Sequence, residues 1–130
     1  MIKEAYCSYE VSRLLKEKGF NEKTFTFYIK GQPYNLQHNF RGNKFSNSEM
    51  ENVYSSPTHQ MVMKWLREVH KVLIVIDAYH ADHWEGYIDS FEINIYSHAS
   101  TIIVPNEIAH HTDYEDAVES AIKYCLENLI

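Results

Sequence analysis

Val72-Leu73-Ile74-Val75-Ile76 is the longest apolar run of the chain and is rich in β-branched residues. Its length is that of a strand, far short of the roughly 18 consecutive apolar residues that a membrane crossing requires, so no membrane span is expected. Because positions of both parities are apolar, the run predicts a central strand covered on both faces and anchoring a sheet. On its N-terminal side, Met61, Val62, Trp65, Leu66 and Val69 line one face of a helix. That helix is expected to start at Ser56-Pro57, a cap residue followed by proline at the first helical position, and to end near His70, with His59 and Met63 off the apolar stripe. On the C-terminal side, residues 79–85 interrupt the pattern. Phe91, Ile93 and Ile95 then alternate with Glu92, Asn94 and Tyr96, which predicts a hairpin, followed by a short strand around 102–104.

Outside this centre the signals are strong at both ends. Ser8 is a cap candidate, Val11, Leu14 and Leu15 form a stripe, and Gly19-Phe20 has the form of a helix stop with its hydrophobic contact. Thr24-Phe25-Thr26-Phe27-Tyr28-Ile29 alternates as a half-buried strand does, with Phe25, Phe27 and Ile29 on the apolar face. Near the C-terminus, Thr112-Asp113-Tyr114-Glu115 has capping-box spacing, and Ala117, Val118, Ala121, Ile122, Cys125 and Leu129 supply an apolar face. Residues 34–56 are polar and nearly devoid of aliphatics, with Phe40, Phe45 and Tyr54 to pin them down. They read as one long loop, suited to a variable surface, in which Leu36 extends a strand and 48–54 forms a helical turn. The order α-β-loop-α-β-β-(β)-α predicts a single α+β domain over 1–130, a small, mainly antiparallel sheet packed by three helices.

With 45% hydrophobic, 23% charged and 14% aromatic residues in 130, the chain has the makings of an ordinary core. The net charge of −6 is uneven: residues 1–56 hold eight Lys/Arg and six Asp/Glu (+2), while 57–130 hold four and twelve (−8). An acidic second half repels phosphates, so nucleic acid is an unlikely partner. Met1-Ile2-Lys3-Glu4-Ala5-Tyr6 contains no apolar signal region, which predicts a cytoplasmic protein. Cys7 and Cys125 lie in no CxxC or CxxH arrangement and are expected to be reduced, structural thiols, with no Cys-His dyad evident.

Eight histidines invite a metal reading, and the densest group is Tyr79-His80-Ala81-Asp82-His83. The pattern places His80 and His83 in a turn without the glutamate of HExxH and without a clear third ligand, so His80, Asp82 and His83 are weak metal candidates only. Asp77, which interrupts the apolar strand, joins them in a polar cluster at 77–83. His110-His111 precede a helix cap, where near-neutral titration suits a pH-sensitive group. Asp113/Asp116 and Glu115/Glu119 lie near a helix N-terminus, where the backbone dipole accounts for them. GxGxxG, GxxxxGK[ST], GxSxG and paired CxxC are all missing, so neither a catalytic residue nor a cofactor is predicted. Tyr28, Tyr34, Tyr54, Tyr79 and Tyr96 fall on predicted outer faces or loops and favour a protein-binding surface. The residues therefore predict a non-enzymatic protein-interaction module with a protein partner or a second copy as a homodimer. The alternative is a small-molecule or metal-binding domain using 77–83.

The segments 8–20, 57–70 and 114–126 resemble small uncharacterised proteins of Bacteroides-type gut bacteria and their phages, and the helix, sheet, helix order is more loosely similar to phage ABA-sandwich domains. The resemblance covers about a third of the chain. It implies an accessory protein of a phage or mobile element and carries no functional residue with it. Residues 34–56 and the histidine-bearing turn depart most from the shared pattern.

Overall fold

The computed structural model describes residues 2–39, 42–79, 90–98 and 100–130. Among them are helices α1 (Tyr9–Glu17), α2 (His59–Val69), α3 (Asn106–Ala109) and α4 (Tyr114–Asn128). The strands form two antiparallel sheets. In the smaller, β1 (Thr26–Ile29) lies between β2 (Gln37–His38) and β3 (Val53–Ser55). In the larger, β4 (Val72–Tyr79), β5 (Ser90–Ser97) and β6 (Ser100–Ile102) follow in order, and β7 (His110–His111) pairs with β5 as well. The α+β class and the small antiparallel sheet stand; the strands divide into two sheets, and a fourth, one-turn helix accompanies them.

The helix ends follow their local chemistry. Ser8 accepts a hydrogen bond from Val11 N (3.2 Å), and Gly19, at φ 87°, closes α1 with Phe20 N donating to Leu15 O (2.9 Å) and Gly19 N to Lys16 O (3.3 Å). That pair of bonds is the Schellman stop, which needs the left-handed conformation glycine adopts without strain. α4 is capped by Asp113, which accepts from Asp116 N (3.0 Å). The cap of α2 is Thr58, not Ser56: Thr58 accepts from Met61 N (3.2 Å), while the fully buried Ser56 hydroxyl donates to Cys7 O (2.8 Å).

α4 is the centre of the packing. Ala117, Val118, Ala121, Ile122, Cys125 and Leu126 are all fully buried, and the helix touches α1, α2, α3 and strands β4, β5 and β7. Val72 and Ile74 of β4 and Ile93 and Ile95 of β5 complete the core beneath it, and Trp65 of α2 meets Phe20 edge-on at 5.3 Å.

Among the described residues β4 is not a central strand. There it lies at the edge of its sheet, with β5 on one side; Val72, Ile74 and Ile76 face the core, and Leu73, on the opposite face, is 40% exposed. An apolar run of both parities marks either a doubly covered strand or an edge strand whose outer face is left uncovered, and here the second holds. The burial is also reversed relative to the alternation: Thr26 of β1 and Thr24 just before it are the buried residues, satisfied by hydroxyl bonds from Thr24 to Thr26 O (2.9 Å) and from Thr26 to Ser56 O. Phe27, on the other face, packs against Phe45 (5.1 Å).

Residues 34–56 are not one long loop. They contribute β2, a 3-10 turn at Asn47–Glu49 and β3, held by polar contacts in place of aliphatic ones. Lys16 Nζ donates to Met50 O (2.6 Å), Glu51 O (3.1 Å) and Val53 O (2.9 Å), and buried Asn47 links Phe20 O (2.8 Å) to Ser55 N (2.9 Å). Such bonds replace those that the segment makes with water when unfolded. Phe40 lies outside the described residues.

With α4 at the centre, Leu126→Ala is expected to cost about 2–5 kcal/mol. Urea unfolding should show a lowered midpoint at unchanged slope, whereas half-buried Leu129→Ala should cost clearly less. Equal, small losses in both variants would contradict this packing.

Candidate functional site

The first described residues run beside the approach to α2. Tyr6 and Thr58 form an antiparallel bridge, Cys7 N donates to Pro57 O (3.0 Å) and His59 N to Ala5 O (2.9 Å). Together with the Ser56 hydroxyl on Cys7 O, these bonds clamp Cys7, one residue before the cap of α1, against His59, the first residue of α2. The third component comes from α4: Glu119 Oε1 accepts from Ser8 N at 2.7 Å, which fixes the carboxylate at the starts of α1 and α2. One ligand atom from each of Cys7, His59 and Glu119 lies within 4.8 Å of the other two.

Burial sets the chemistry of the group. Cys7 is fully buried, His59 is 6% exposed, and the Glu119 side chain keeps 25% exposure. His59 Nε2 lies 3.5 Å from Glu119 Oε2 without a hydrogen bond, and it has no hydrogen-bond partner among the described residues. A buried polar atom left in this way costs about 1–3 kcal/mol. Burial, reinforced by the Glu119 charge, pushes the Cys7 thiol well above its ordinary range. Burial, then Glu119 and Cys7, also raises the Tyr28 phenol.

Thiol, imidazole and carboxylate are the parts of a cysteine nucleophile, yet a reactive cysteine is partly exposed and has a lowered pKa. Cys7 has neither property, so the group does not present a thiolate to a substrate. Sulfur, ring nitrogen and carboxylate oxygen are equally the donor types that zinc-class cations take. A cleft of about 210 Å³, bordered by Lys3, Ala5, His59, Gln60 and Glu115 among others, reaches His59 from outside.

The residues singled out in the sequence fall elsewhere. Asp77 is exposed and accepts from Asn94 Nδ2 at 2.7 Å, and His80, Asp82 and His83 lie outside the described residues. His110 and His111 form β7 opposite Glu92 and Phe91, with His111 Nε2 2.9 Å from Ile108 O, so they belong to the sheet and not to a loop. Tyr28 and Tyr54 are register partners that pack edge-on against Tyr9 at 5.6 and 5.4 Å and are not an outer surface. Tyr34 is fully exposed, Tyr96 is 38% exposed, and the side chain of Tyr79 is outside the described part.

Cys7 and His59 are neighbours without a hydrogen bond between them, and His59, expected off the apolar stripe, is buried. Both residues flank helix caps, Ser8 and Thr58, and that shared position was the available signal. No family model, curated protein or solved structure matches the chain, so the site is read from its own chemistry.

Both cysteines are buried, and the Cys125 thiol is pushed up to about 12 from an ordinary value of 9.0. A thiol reagent at mildly alkaline pH should therefore find no reactive sulfur in the folded chain and two after unfolding. Between pH 9 and about 12 the unfolded thiol has lost its proton while the folded Cys125 keeps it, so stability falls as pH rises through that window. Cys125→Ala should flatten that slope in pH-dependent urea unfolding; a native chain that titrates one sulfur at once would contradict the burial.

Proposed function

We propose that this protein is a non-enzymatic protein-interaction module of a phage or mobile element, whose docking element is the free edge of β4 and whose partner is a second copy. The observation that carries the reading is that edge. β4 is eight residues long and pairs through its whole length with β5, from Val72 opposite Ser97 to Tyr79 opposite Ser90. Among the described residues nothing pairs with its other side. Long apolar edge strands recruit further strands, because their unpaired N–H and C=O groups form a ready ladder. Leu73 and Tyr96, register partners at 40% and 38% exposure, extend an apolar surface beside that edge.

The sequence of β4 suits a copy of itself. Two such strands laid antiparallel about Ile74 set Leu73 opposite Val75 of the second copy, so apolar residues meet at the middle, while Lys71, just outside the strand at φ 58°, comes near the other copy's Asp77 at each end. The phage or mobile-element origin is supported by the resemblance alone. No described helix is long and apolar enough to cross a membrane.

Sedimentation over a concentration series should show a monomer–dimer equilibrium. Asp77→Lys, which brings lysine near lysine at both ends of the dimer, should raise the dissociation constant about tenfold. Adding Lys71→Asp to that variant should restore association. A monomer at every concentration, or a charge swap with no effect, would contradict the docking reading.

A further inference from the structure

We propose that Cys7, His59 and Glu119 hold a zinc ion, with water in the fourth position. The three donors come from separate elements, and their ligand atoms all fall within 4.8 Å of one another. A second, independent observation points to an ion: His59, more than nine-tenths buried, aims Nε2 into this group and finds no hydrogen-bond partner there. At 3.5 Å from Glu119 Oε2 it makes no hydrogen bond. That distance is close to the spacing of about 3.4 Å between nitrogen and oxygen ligands on a tetrahedral zinc with bonds of about 2.0–2.1 Å.

The charges agree. Thiolate and carboxylate together with a neutral imidazole balance a divalent cation, so the occupied site is neutral where it is buried. Binding releases the Cys7 thiol proton to solvent as the sulfur–zinc bond forms, and no electron changes hands. The supporting bonds have the form expected around a metal site, where ligands are oriented by partners one step out. Ser8 N donates to Glu119 Oε1 at 2.7 Å and more weakly to Oε2 at 3.4 Å, the oxygen nearer His59, while Cys7 N on Pro57 O and His59 N on Ala5 O fix the other two backbones. The cleft between Lys3, Ala5, Gln60 and Glu115 brings solvent up to His59, one of the three donors. Three protein ligands and one open position are the arrangement of exchangeable zinc sites, in contrast to the closed four-ligand structural ones.

The test uses the full chain, stripped with a chelator and titrated with zinc(II) against a competing indicator and with cobalt(II) as a spectroscopic probe. One equivalent of each metal is expected to bind, zinc raising the unfolding temperature. The cobalt form should show tetrahedral visible bands and a near-ultraviolet sulfur-to-cobalt charge-transfer band. Cys7→Ser should abolish the charge-transfer band, and His59→Gln and Glu119→Gln should each weaken zinc binding by more than about tenfold. Cys125→Ser and the double variant His80→Ala/His83→Ala should leave both unchanged. Circular dichroism of each metal-free variant verifies that the fold persists, and the Glu119→Gln amide retains an oxygen for Ser8 N. Weak, non-stoichiometric binding, a cobalt spectrum without sulfur, or a charge-transfer band that survives Cys7→Ser would overturn the proposal. Dimerisation through β4 is read separately by sedimentation, so either result stands without the other.

Discussion

The bond from Ser8 N to the Glu119 carboxylate ties the start of the first helix to the second turn of the last. It spans 111 residues of sequence and so closes the chain on itself. The carboxylate lies at the N-terminal end of α1, where unsatisfied N–H groups and the aligned peptide dipoles favour negative charge, and beside the side chain of His59. Its position in turn depends on α4, whose apolar face is buried from Ala117 to Leu126 against three helices and the larger sheet. Packing therefore sets where a charged group stands, and that group sets how the chain ends meet.

The same helix explains what is left uncovered. α4 and α2 lie over the inner face of β4 and β5, where Ile74 and Ile95 are register partners, and Val72 and Ile93 are buried with them. Covering one face leaves the other with Leu73, Val75 and Tyr96 and leaves the β4 edge unpaired among the described residues. The smaller sheet is held differently. Tyr9 meets Tyr28 and Tyr54 on one face, Phe45 meets Phe27 on the other, and the Lys16 ammonium gathers three carbonyls of the 50–53 segment.

Features that act through neighbours in sequence were legible. The Schellman stop at Gly19 and Phe20, the buried face of α4 and the hairpin of β4 with β5 all depend on spacings of a few residues or on a regular period, and each is where the pattern puts it. The failures have a common cause in distant partners. Thr24 and Thr26 are buried because their hydroxyls find backbone carbonyls, which a polarity pattern scores as exposed. Ser56 resembles a cap but spends its hydroxyl on Cys7 O, a contact across 49 residues. β4 reads as central because periodicity counts apolar positions and not what covers them. Cys7, His59 and Glu119 share no local spacing, and each had a sufficient local explanation as a core thiol, an off-stripe helix residue and a dipole-stabilised acid. The 77–83 histidine group had the reverse character, a dense local cluster whose histidines lie outside the described residues.

A fully buried thiol, a buried histidine with an orphaned nitrogen and a carboxylate fixed by backbone bonds make sense together as a ligand set. X-ray absorption at the zinc edge, on the chain loaded with one equivalent of zinc, measures that convergence most directly. The predicted first shell is four-coordinate, with a single sulfur at about 2.3 Å and three nitrogen or oxygen atoms at about 2.0–2.2 Å. A shell of nitrogen and oxygen alone, or a six-coordinate one, would contradict it.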